Sequence, residues 1–162
     1  MALNAYLTLT GETQGEIKGG CTQAGREDST IVLEFRHEIV SPRDAASGLP
    51  TGKRQHKPIT VVAEVGKHSP LMHNVLVNNE NISEWTLKFW QPSRAGKEFQ
   101  YYTIELVNAS VAGIRQYQQT SLNPETMKYP LLEELSFCYQ KIMWTYVDGG
   151  ISAEDDWETP IV

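Results

Sequence analysis

A long connection between two alternating segments constrains the fold of this chain more than any other feature of its sequence. Before residues 41–59, large apolar side chains alternate with charged ones, and after them the alternation of apolar and polar side chains resumes. The apolar positions are Ile31, Leu33, Phe35 and Ile39 before the connection, and Ile59, Val61, Ala63 and Val65 after it. A period of two residues is typical of strands that bury one face. We therefore predict two β-strands that flank residues 41–59.

The connection itself is too long for a simple hairpin turn, which needs only about two to five residues. It contains three prolines and two glycines and is basic. Because ordering a long loop costs conformational entropy, such loops within compact domains usually have a function. We expect this loop to project toward a partner and to make subunit contacts. The residues predicted to form this interface are Pro42, Arg43, Asp44, Leu49, Pro50, Lys53, Arg54, His56 and Lys57.

Three interpretations of the basic loop are open at this point. It can dock on a neighbour's acidic surface, such as residues 154–156 or the strand face of another subunit, since opposite charges orient such contacts. It can also be a solvated loop without a partner. Nucleic-acid binding is the weakest of the three, because no aromatic side chains interrupt the basic residues and the whole chain has a net charge of −6.

The clearest helix signal lies at Ser69-Pro70, where Ser69 is a candidate N-cap and Pro70 the first helical residue. We predict one short helix over residues 70–78. The remaining predicted strands cover residues 3–9, 85–89, 98–107, 111–117 and 135–146. Within the last of these, the apolar positions shift from odd to even numbers, which is the effect of a β-bulge. The acidic tail, residues 152–162, is expected to be mobile until it contacts a partner.

These elements predict a mainly β protein, because many short strands with a single helix lack the alternation of strands and helices found in parallel sheets. We expect a compact antiparallel β-barrel of two sheets, or a sandwich, with one short α-helix and a long extended loop. A length of 162 residues is most simply one domain, residues 1–162.

The sequence contains no pattern of residues that indicates catalysis or a cofactor. Its four histidines lack metal-ligand spacing, and no nucleophile elbow, Walker loop or dinucleotide fingerprint is present. The two cysteines are too few for a disulfide framework and are expected to be reduced thiols. We therefore expect a non-enzymatic protein with no metal and no cofactor.

Four segments together resemble the haemolysin-coregulated protein (Hcp) family. They are the start MALNAYLTLTGETQGEIKGG, the loop SPRDAASGLPTGKRQHKPI, the segment KHSPLMHNVLVNNENISEWTLKFW and the late FCYQKIMWTYVDGG. The resemblance covers nearly the whole chain in order. It implies a β-barrel subunit that forms a six-membered ring, and rings that stack into the inner tube of the type VI secretion system.

The resemblance also implies partners and a location. The partners are other copies of the chain, a spike protein at the tip of the tube, the contractile sheath and small protein effectors carried in the lumen. Neither nucleic acid nor membrane insertion is expected. Asn4, Thr8 and Thr10 occupy the segment where a signal peptide would be apolar. The protein is thus expected in the cytoplasm during assembly, and then outside the cell by a signal-peptide-independent route.

Two further predictions concern surfaces. A ring needs a polar face around its hole, and Glu34, Arg36 and Glu38 form such a face, so we expect them to line the lumen. The alternative to a ring subunit is a monomeric β-barrel or sandwich that binds a carbohydrate or another small ligand through exposed aromatic side chains. Trp90 and Tyr101 lie on the more polar strand faces and are the aromatic candidates for an interface.

Overall fold

The structure is a computed structural model that describes residues 3–158. Within them, the chain forms twelve β-strands and one α-helix. The strands are β1 (Ala5–Gly11), β2 (Gly15–Ile17), β3 (Thr30–Arg36), β4 (Ile39–Val40), β5 (Gln55–His56), β6 (Ile59–Glu64), β7 (Ile82–Pro92), β8 (Glu98–Val107), β9 (Ser110–Tyr117), β10 (Leu132–Cys138), β11 (Lys141–Tyr146) and β12 (Ile151–Asp156), and the helix is α1 (Ser69–Val77).

Ten of the strands form one antiparallel sheet in the order β12-β11-β8-β7-β1-β3-β6-β10-β9, with β2 paired to β1. The strands β4 and β5 form a separate two-stranded sheet. The predicted class, an antiparallel β fold with one short helix and a long extended connection, is confirmed. Among the described residues, the end strands β9 and β12 are not paired with each other. The main sheet is therefore open, and the predicted barrel is not closed by strand pairing.

This sheet curls around the hydrophobic core. Trp85 on β7 and Phe137 on β10 are separated by four strand spacings, which is about 19 Å in a flat sheet. Their ring centroids are only 5.5 Å apart, and both side chains are buried. Met72 and Val75 of α1 belong to the same buried cluster. The helix therefore packs beside β9 and covers part of the core.

The alternation predicted for β3 is correct only in its second half. Val32 is the buried residue, with 2% of its surface exposed, whereas Leu33 is 47% exposed. The pairing of β3 with β6 shifts between Val32 and Glu34, so Leu33 occupies a β-bulge. Beyond the bulge, Phe35 packs against the core, and its ring lies 5.3 Å from that of Phe89. A bulge adds one residue and reverses the alternation, and this is why the inward placement of Leu33 was wrong.

The helix is confirmed to within one residue at each end, but its predicted cap is wrong. His68 is the N-cap residue and makes no side-chain capping bond, while Ser69 is already helical. The hydroxyl of Ser69 accepts a hydrogen bond from the Gly66 N–H and donates one to Glu133. The Ser69 side chain thus binds the buried carboxylate of Glu133 and does not cap the backbone N–H groups at the start of the helix. No helix within residues 3–158 has the length and apolar character needed to cross a bilayer.

The single strand predicted over residues 135–146 is two strands. β10 pairs with β6 and β9, whereas β11 pairs with β8 and β12 at the other end of the sheet. Tyr139 and Gln140 lie between them. The shift in apolar positions, interpreted above as a β-bulge, therefore arises where the chain leaves one half of the sheet for the other.

The acidic tail is also more ordered than predicted. Residues 151–156 form β12, which pairs with β11 over its full length. Lys141 and Glu154 form an ion pair across this pairing, with 3.0 Å between Nζ and Oε2. The rest of the tail prediction, residues 159–162, lies outside the described part of the chain.

Candidate assembly arm

Residues 39–56, called the arm below, form an extended hairpin between β3 and β6. The strands β4 and β5 pair at its base, and an isolated antiparallel bridge joins Arg43 and Pro50 further out. Between these two pairings, the N–H of Thr51 donates to the carbonyl of Pro42 at 2.9 Å. The long connection predicted from sequence is therefore a preformed projection and not an irregular loop.

The tip of the arm, residues 43–50, is a turn held by Asp44. Its carboxylate accepts hydrogen bonds from the N–H and the Oγ of Ser47, both at 2.7 Å. These bonds hold the pKa of Asp44 below its ordinary value. Gly48 has a φ of +72°, a conformation that glycine adopts without steric cost. The turn leaves Leu49 66% exposed, so the tip presents an apolar side chain to the solvent.

The base of the arm is fixed by hydrogen bonds centred on Tyr139. Its hydroxyl lies 2.7 Å from Nε2 of His37 and 2.7 Å from Nδ1 of His56. The other ring nitrogen of His56 lies 2.6 Å from the carboxylate of Asp155. Arg54 donates to the same carboxylate through Nε at 2.5 Å and Nη2 at 2.8 Å. We call these five residues the base cluster. It ties both ends of the arm to the β10–β11 junction and to β12.

The charges in the base cluster follow from its contacts. The hydrogen bond from Arg54 is the largest influence that lowers the pKa of Asp155, and the bond to His56 lowers it further. Burial, followed by the nearby charge of Asp155, raises the pKa of Tyr139 well above its ordinary value. At neutral pH the cluster therefore contains an ionised carboxylate, a guanidinium and a neutral phenol.

Trp157 covers this cluster from the C-terminal side. Its indole N–H donates to the carbonyl of Tyr139, and its ring centroid lies 6.1 Å from that of His56. As a result, only 2% of the His56 side chain is exposed. The base of the arm is a packed polar contact rather than a solvated hinge.

The predicted interface residues separate into two groups in the structure. Arg54 and His56 contact their own chain through the base cluster, and Lys57 pairs with Glu38 at 3.1 Å. The other six lie along the outer part of the arm, half-buried at Pro42 and exposed elsewhere. They are Pro42, Arg43, Asp44, Leu49, Pro50 and Lys53. Their contact with a second subunit stays a prediction.

The residues predicted to line a lumen are exposed. Arg36 on β3 lies 2.7 Å from Glu134 and 3.6 Å from Glu34, and Glu38 follows the end of this strand. These ion pairs form a polar surface row beside the arm. Whether this row faces the hole of a ring stays a prediction.

Sequence reasoning missed the central role of Tyr139, which was interpreted only as one position of an apolar alternation. It also missed that His37 and His56 both bind the hydroxyl of Tyr139, although His37 precedes the long connection and His56 lies near its far end. The basic loop was predicted to dock on the acidic surface of a neighbouring subunit, and that contact stays a prediction. Arg54 instead binds Asp155 of its own chain.

A second histidine cluster lies under the N-terminus of α1. His68 contacts Oε1 of Glu133, which also accepts a bond from Ser69 at 2.9 Å, while Gln116 approaches Oε2 at 3.3 Å. Ser69 donates to the carboxylate and not to His68, so this is not the hydroxyl–imidazole pair of a nucleophilic site. Within residues 3–158, no group of three or more His, Cys, Asp or Glu side chains is arranged to hold a metal ion.

Trp90, one of the two aromatic candidates, is partly covered by its own chain. Trp90 is half-buried, and the guanidinium of Arg26 lies 4.3 Å from its ring centroid. The same guanidinium lies 4.8 Å from the ring of Tyr6 and pairs with Glu98 at 2.6 Å. One face of Trp90 is therefore covered, which disfavours the stacking of a sugar ring on it.

This fold, an open antiparallel sheet curled around one core with a helix at its side, is similar to that of solved Hcp structures. A solved structure of an Hcp protein superposes with a TM-score of 0.90 at 26% identity, covering 97% of this chain and 99% of that one. The secreted protein Hcp3 from Pseudomonas aeruginosa gives a TM-score of 0.78 at 30% identity, covering 96% of this chain and 99% of that one.

The sequence comparisons agree with the fold. The family described as "Type VI secretion system effector, Hcp" matches residues 6–146. The chain is 36% identical over 170 aligned positions to the Major exported protein of Pseudomonas aeruginosa, with 99% of each chain covered. This chain belongs to the Hcp family of the type VI secretion system.

Proposed function

We propose that this chain is a structural subunit of a hexameric ring that stacks into the inner tube of the type VI secretion system. The family match over residues 6–146 carries this proposal. In it, the whole chain acts as one domain, consistent with the single hydrophobic cluster that its strands and helix share. The ring is exported by a route that needs no signal peptide and carries small effectors in its lumen. Its other partners are the spike protein and the contractile sheath.

The arm is the part of the subunit best suited to bridge two copies. Its base is fixed by the base cluster, so little conformational entropy is lost when the tip docks. The tip combines the exposed side chain of Leu49 with the positive charge of Arg43, and Lys53 adds a second positive charge just beyond the tip. An apolar anchor surrounded by charges is the usual composition of a docking element, with the apolar group giving affinity and the charges giving orientation.

The row of Glu34, Arg36 and Glu38 is proposed to line the lumen. A wall of a water-filled hole tolerates exposed ion pairs, which this row contains. The function proposed for the subunit is structural and not enzymatic. In support, the His68–Ser69–Glu133 group lacks the contact between hydroxyl and imidazole that a nucleophile needs.

The proposal is tested by replacing the tip alone. Residues 43–50 are exchanged for Asn-Gly, which joins Pro42 to Thr51 through a two-residue turn. This variant retains Arg54, so the base cluster is unchanged. Native mass measurement and electron microscopy of the wild-type protein should find particles of six chains and stacks of them. The variant should fold normally but lose stacks or rings.

A charge reversal on an exposed turn gives the control for the tip variant. Lys97→Glu alters the β7–β8 turn, outside the arm, and should leave rings and stacks unchanged. A wild-type protein that is strictly monomeric at micromolar concentration would overturn the ring proposal and favour a monomeric binding module. Normal tubes from the tip variant would instead overturn only the role of the arm.

A further inference from the structure

We propose that the base cluster is a protonation-sensitive latch, which holds the arm at neutral pH and releases it when both of its histidines are protonated. The latch concerns the geometry of one chain, and its consequence for assembly rests on the proposed ring function. The inference comes from the arrangement of two imidazoles around one hydroxyl. It does not depend on the identity of any partner.

With both histidines neutral, one arrangement of protons satisfies every contact. His56 donates from Nε2 to Asp155, so its Nδ1 is an acceptor and receives the proton of the Tyr139 hydroxyl. The oxygen of Tyr139 then accepts a bond from Nε2–H of His37. Each of these three contacts therefore has one donor and one acceptor.

The cluster also tolerates one additional proton. If His56 is protonated, its Nδ1 donates to Tyr139 and the imidazolium stays paired with Asp155. The Tyr139 hydroxyl then donates to Nε2 of His37, whose own proton sits on Nδ1 in this tautomer. If His37 is protonated instead, its Nε2–H still donates to Tyr139 and the other contacts are unchanged. A single proton therefore leaves the arm in place.

A second proton cannot be accommodated. Both imidazoles would then donate to the oxygen of Tyr139, whose own proton would have no acceptor within the cluster. Two positive rings would also face each other across this hydroxyl, next to the guanidinium of Arg54. A buried polar group without a partner and a pair of like charges both disfavour the closed arrangement. The expected result is release of the arm from the sheet.

Within residues 3–158, the other charged groups around the base cluster make no hydrogen bond or ion pair with the two imidazole rings. Glu38 and Lys57 pair with each other at the base of the arm. Asp156 accepts bonds from the side chain of Gln140 and from the N–H of Glu158, and its carbonyl accepts one from Arg54. Other titratable groups near the cluster are Cys138 at the end of β10, Glu158 after β12 and, across the β11–β12 pairing, Lys141 and Glu154. Asp155 is therefore the carboxylate whose negative charge acts directly on both His56 and Arg54.

The pH range follows from His37. Burial, followed by the charge of His56, lowers the pKa of His37 below its ordinary value of 6.5. The folded arm therefore favours neutral His37, and this contribution is complete above about pH 6.5 and falls as the pH decreases below it. Asp155, whose pKa is lowered, stays ionised over the same range.

Hydrogen exchange of the arm tests the latch. Amide exchange of residues 39–57 is measured by mass spectrometry at about pH 7.5 and about pH 5, corrected for the intrinsic effect of pH, and histidine ring titrations are followed by NMR. Between about pH 6.5 and the lower pKa that His37 has in the folded arm, protection of the wild-type arm should fall by up to about tenfold per pH unit, which is the linkage limit for one proton. The fall should coincide with the second of the two ring titrations.

Two substitutions separate the latch from a general acid response. His37→Gln keeps a donor near Tyr139 but cannot be protonated, so its arm should stay protected at both pH values. His73→Gln changes a histidine of α1 outside the cluster and should keep the wild-type response. Equal wild-type protection at both pH values would overturn the latch. So would a response in His37→Gln equal to the wild-type response, or loss of protection where neither ring of the cluster titrates.

The oligomeric state is measured in the same samples. Intact rings whose arms do not respond to pH would overturn the latch and leave the proposed function standing. Monomers whose arms respond as expected would overturn the proposed ring and leave the latch standing.

Discussion

Two histidine–carboxylate pairs in this protein have similar chemistry but different surroundings. His68 and Glu133 lie in the core under α1, and the carboxylate is fully buried. His56 and Asp155 lie at the base of the arm, where the Asp155 side chain is 27% exposed and also binds Arg54. The first pair ties a helix to a strand of the main sheet. The second ties a projecting hairpin to the edge of that sheet.

The difference shows how one type of contact can serve stability or position. Removing one partner of a buried hydrogen-bonded pair leaves the other polar group without a partner in the core and affects the whole fold. Removing a contact at the arm base leaves the core intact and affects the direction of the arm. Stability measurements should therefore respond most strongly to Glu133, less to the base cluster, and least to the arm tip.

The largest effect is expected for Glu133→Ala. It leaves His68 and Ser69 without their buried acceptor and should lower the free energy of unfolding by about 2–5 kcal/mol, since each unpaired buried polar group costs about 1–3 kcal/mol. Glu134→Ala is the matched control, since this neighbour pairs with Arg36 at the surface and should cost less than about 1 kcal/mol. Denaturant unfolding measures both. Similar losses for the two variants would contradict the role assigned to the buried pair.

Stability at acid pH should also depend on the buried carboxylate of Glu133. Burial alone would raise the pKa of Glu133, but its bonds to His68, Ser69 and Gln116 together lower it below the ordinary value of 4.5. The ionised carboxylate thus stabilises the fold above about pH 4.5, and this contribution is lost as the pH falls through the lower folded value. Unfolding followed against pH should show a shallower acid limb for Glu133→Gln than for the wild type.

An intermediate effect is expected for Tyr139→Phe. It removes the hydroxyl shared by His37 and His56 and should cost about 1–3 kcal/mol, since two ring nitrogens lose their partner. The loss of amide protection should be concentrated in the arm, as read by hydrogen exchange. Tyr129→Phe, at an exposed tyrosine, should leave both quantities nearly unchanged. A uniform loss of protection over the sheet would show that Tyr139 supports the core instead.

The smallest effect on stability is expected for Lys53→Glu on the arm, within about 0.5 kcal/mol of the wild type. If the tip docks on another copy, the same change should weaken ring stacking or closure, with stronger dependence on salt. Comparing its assembly with that of Lys97→Glu by native mass measurement checks this. Equal assembly of the two variants would remove Lys53 from the interface.

Local sequence patterns predicted much of this fold. The inward set Ile59, Val61 and Ala63 is fully buried, as alternation indicates. Trp85 and Leu87 are likewise buried on β7. The helix was located because proline and the following apolar residues form a short-range signal. The arm was located because its length, prolines and charge differ from a tight turn. Each of these signals depends on residues within a few positions of one another.

The errors have a common cause, which is competition from distant partners. Leu33 is exposed because the pairing of β3 with β6 contains a bulge, and the sequence of β3 alone does not specify it. Ser69 does not cap the helix because its hydroxyl donates a hydrogen bond to Glu133, which lies 64 positions away in the sequence. The predicted strand is divided at Tyr139 because β10 pairs with β6 and β9, whereas β11 pairs with β8 and β12. No local period encodes any of these contacts.

The sequence by itself determined the family, the β class, the single helix and the existence of a long basic projection, since repeating local patterns and matched segments specify these. Only the tertiary structure decided what holds that projection. His37 and Tyr139 are 102 positions apart, and Arg54 and Asp155 are 101 apart. Such groups meet only after the sheet has curled around its core. The physical reason is that hydrogen bonds act over about 3 Å, whereas sequence patterns report neighbours along the chain.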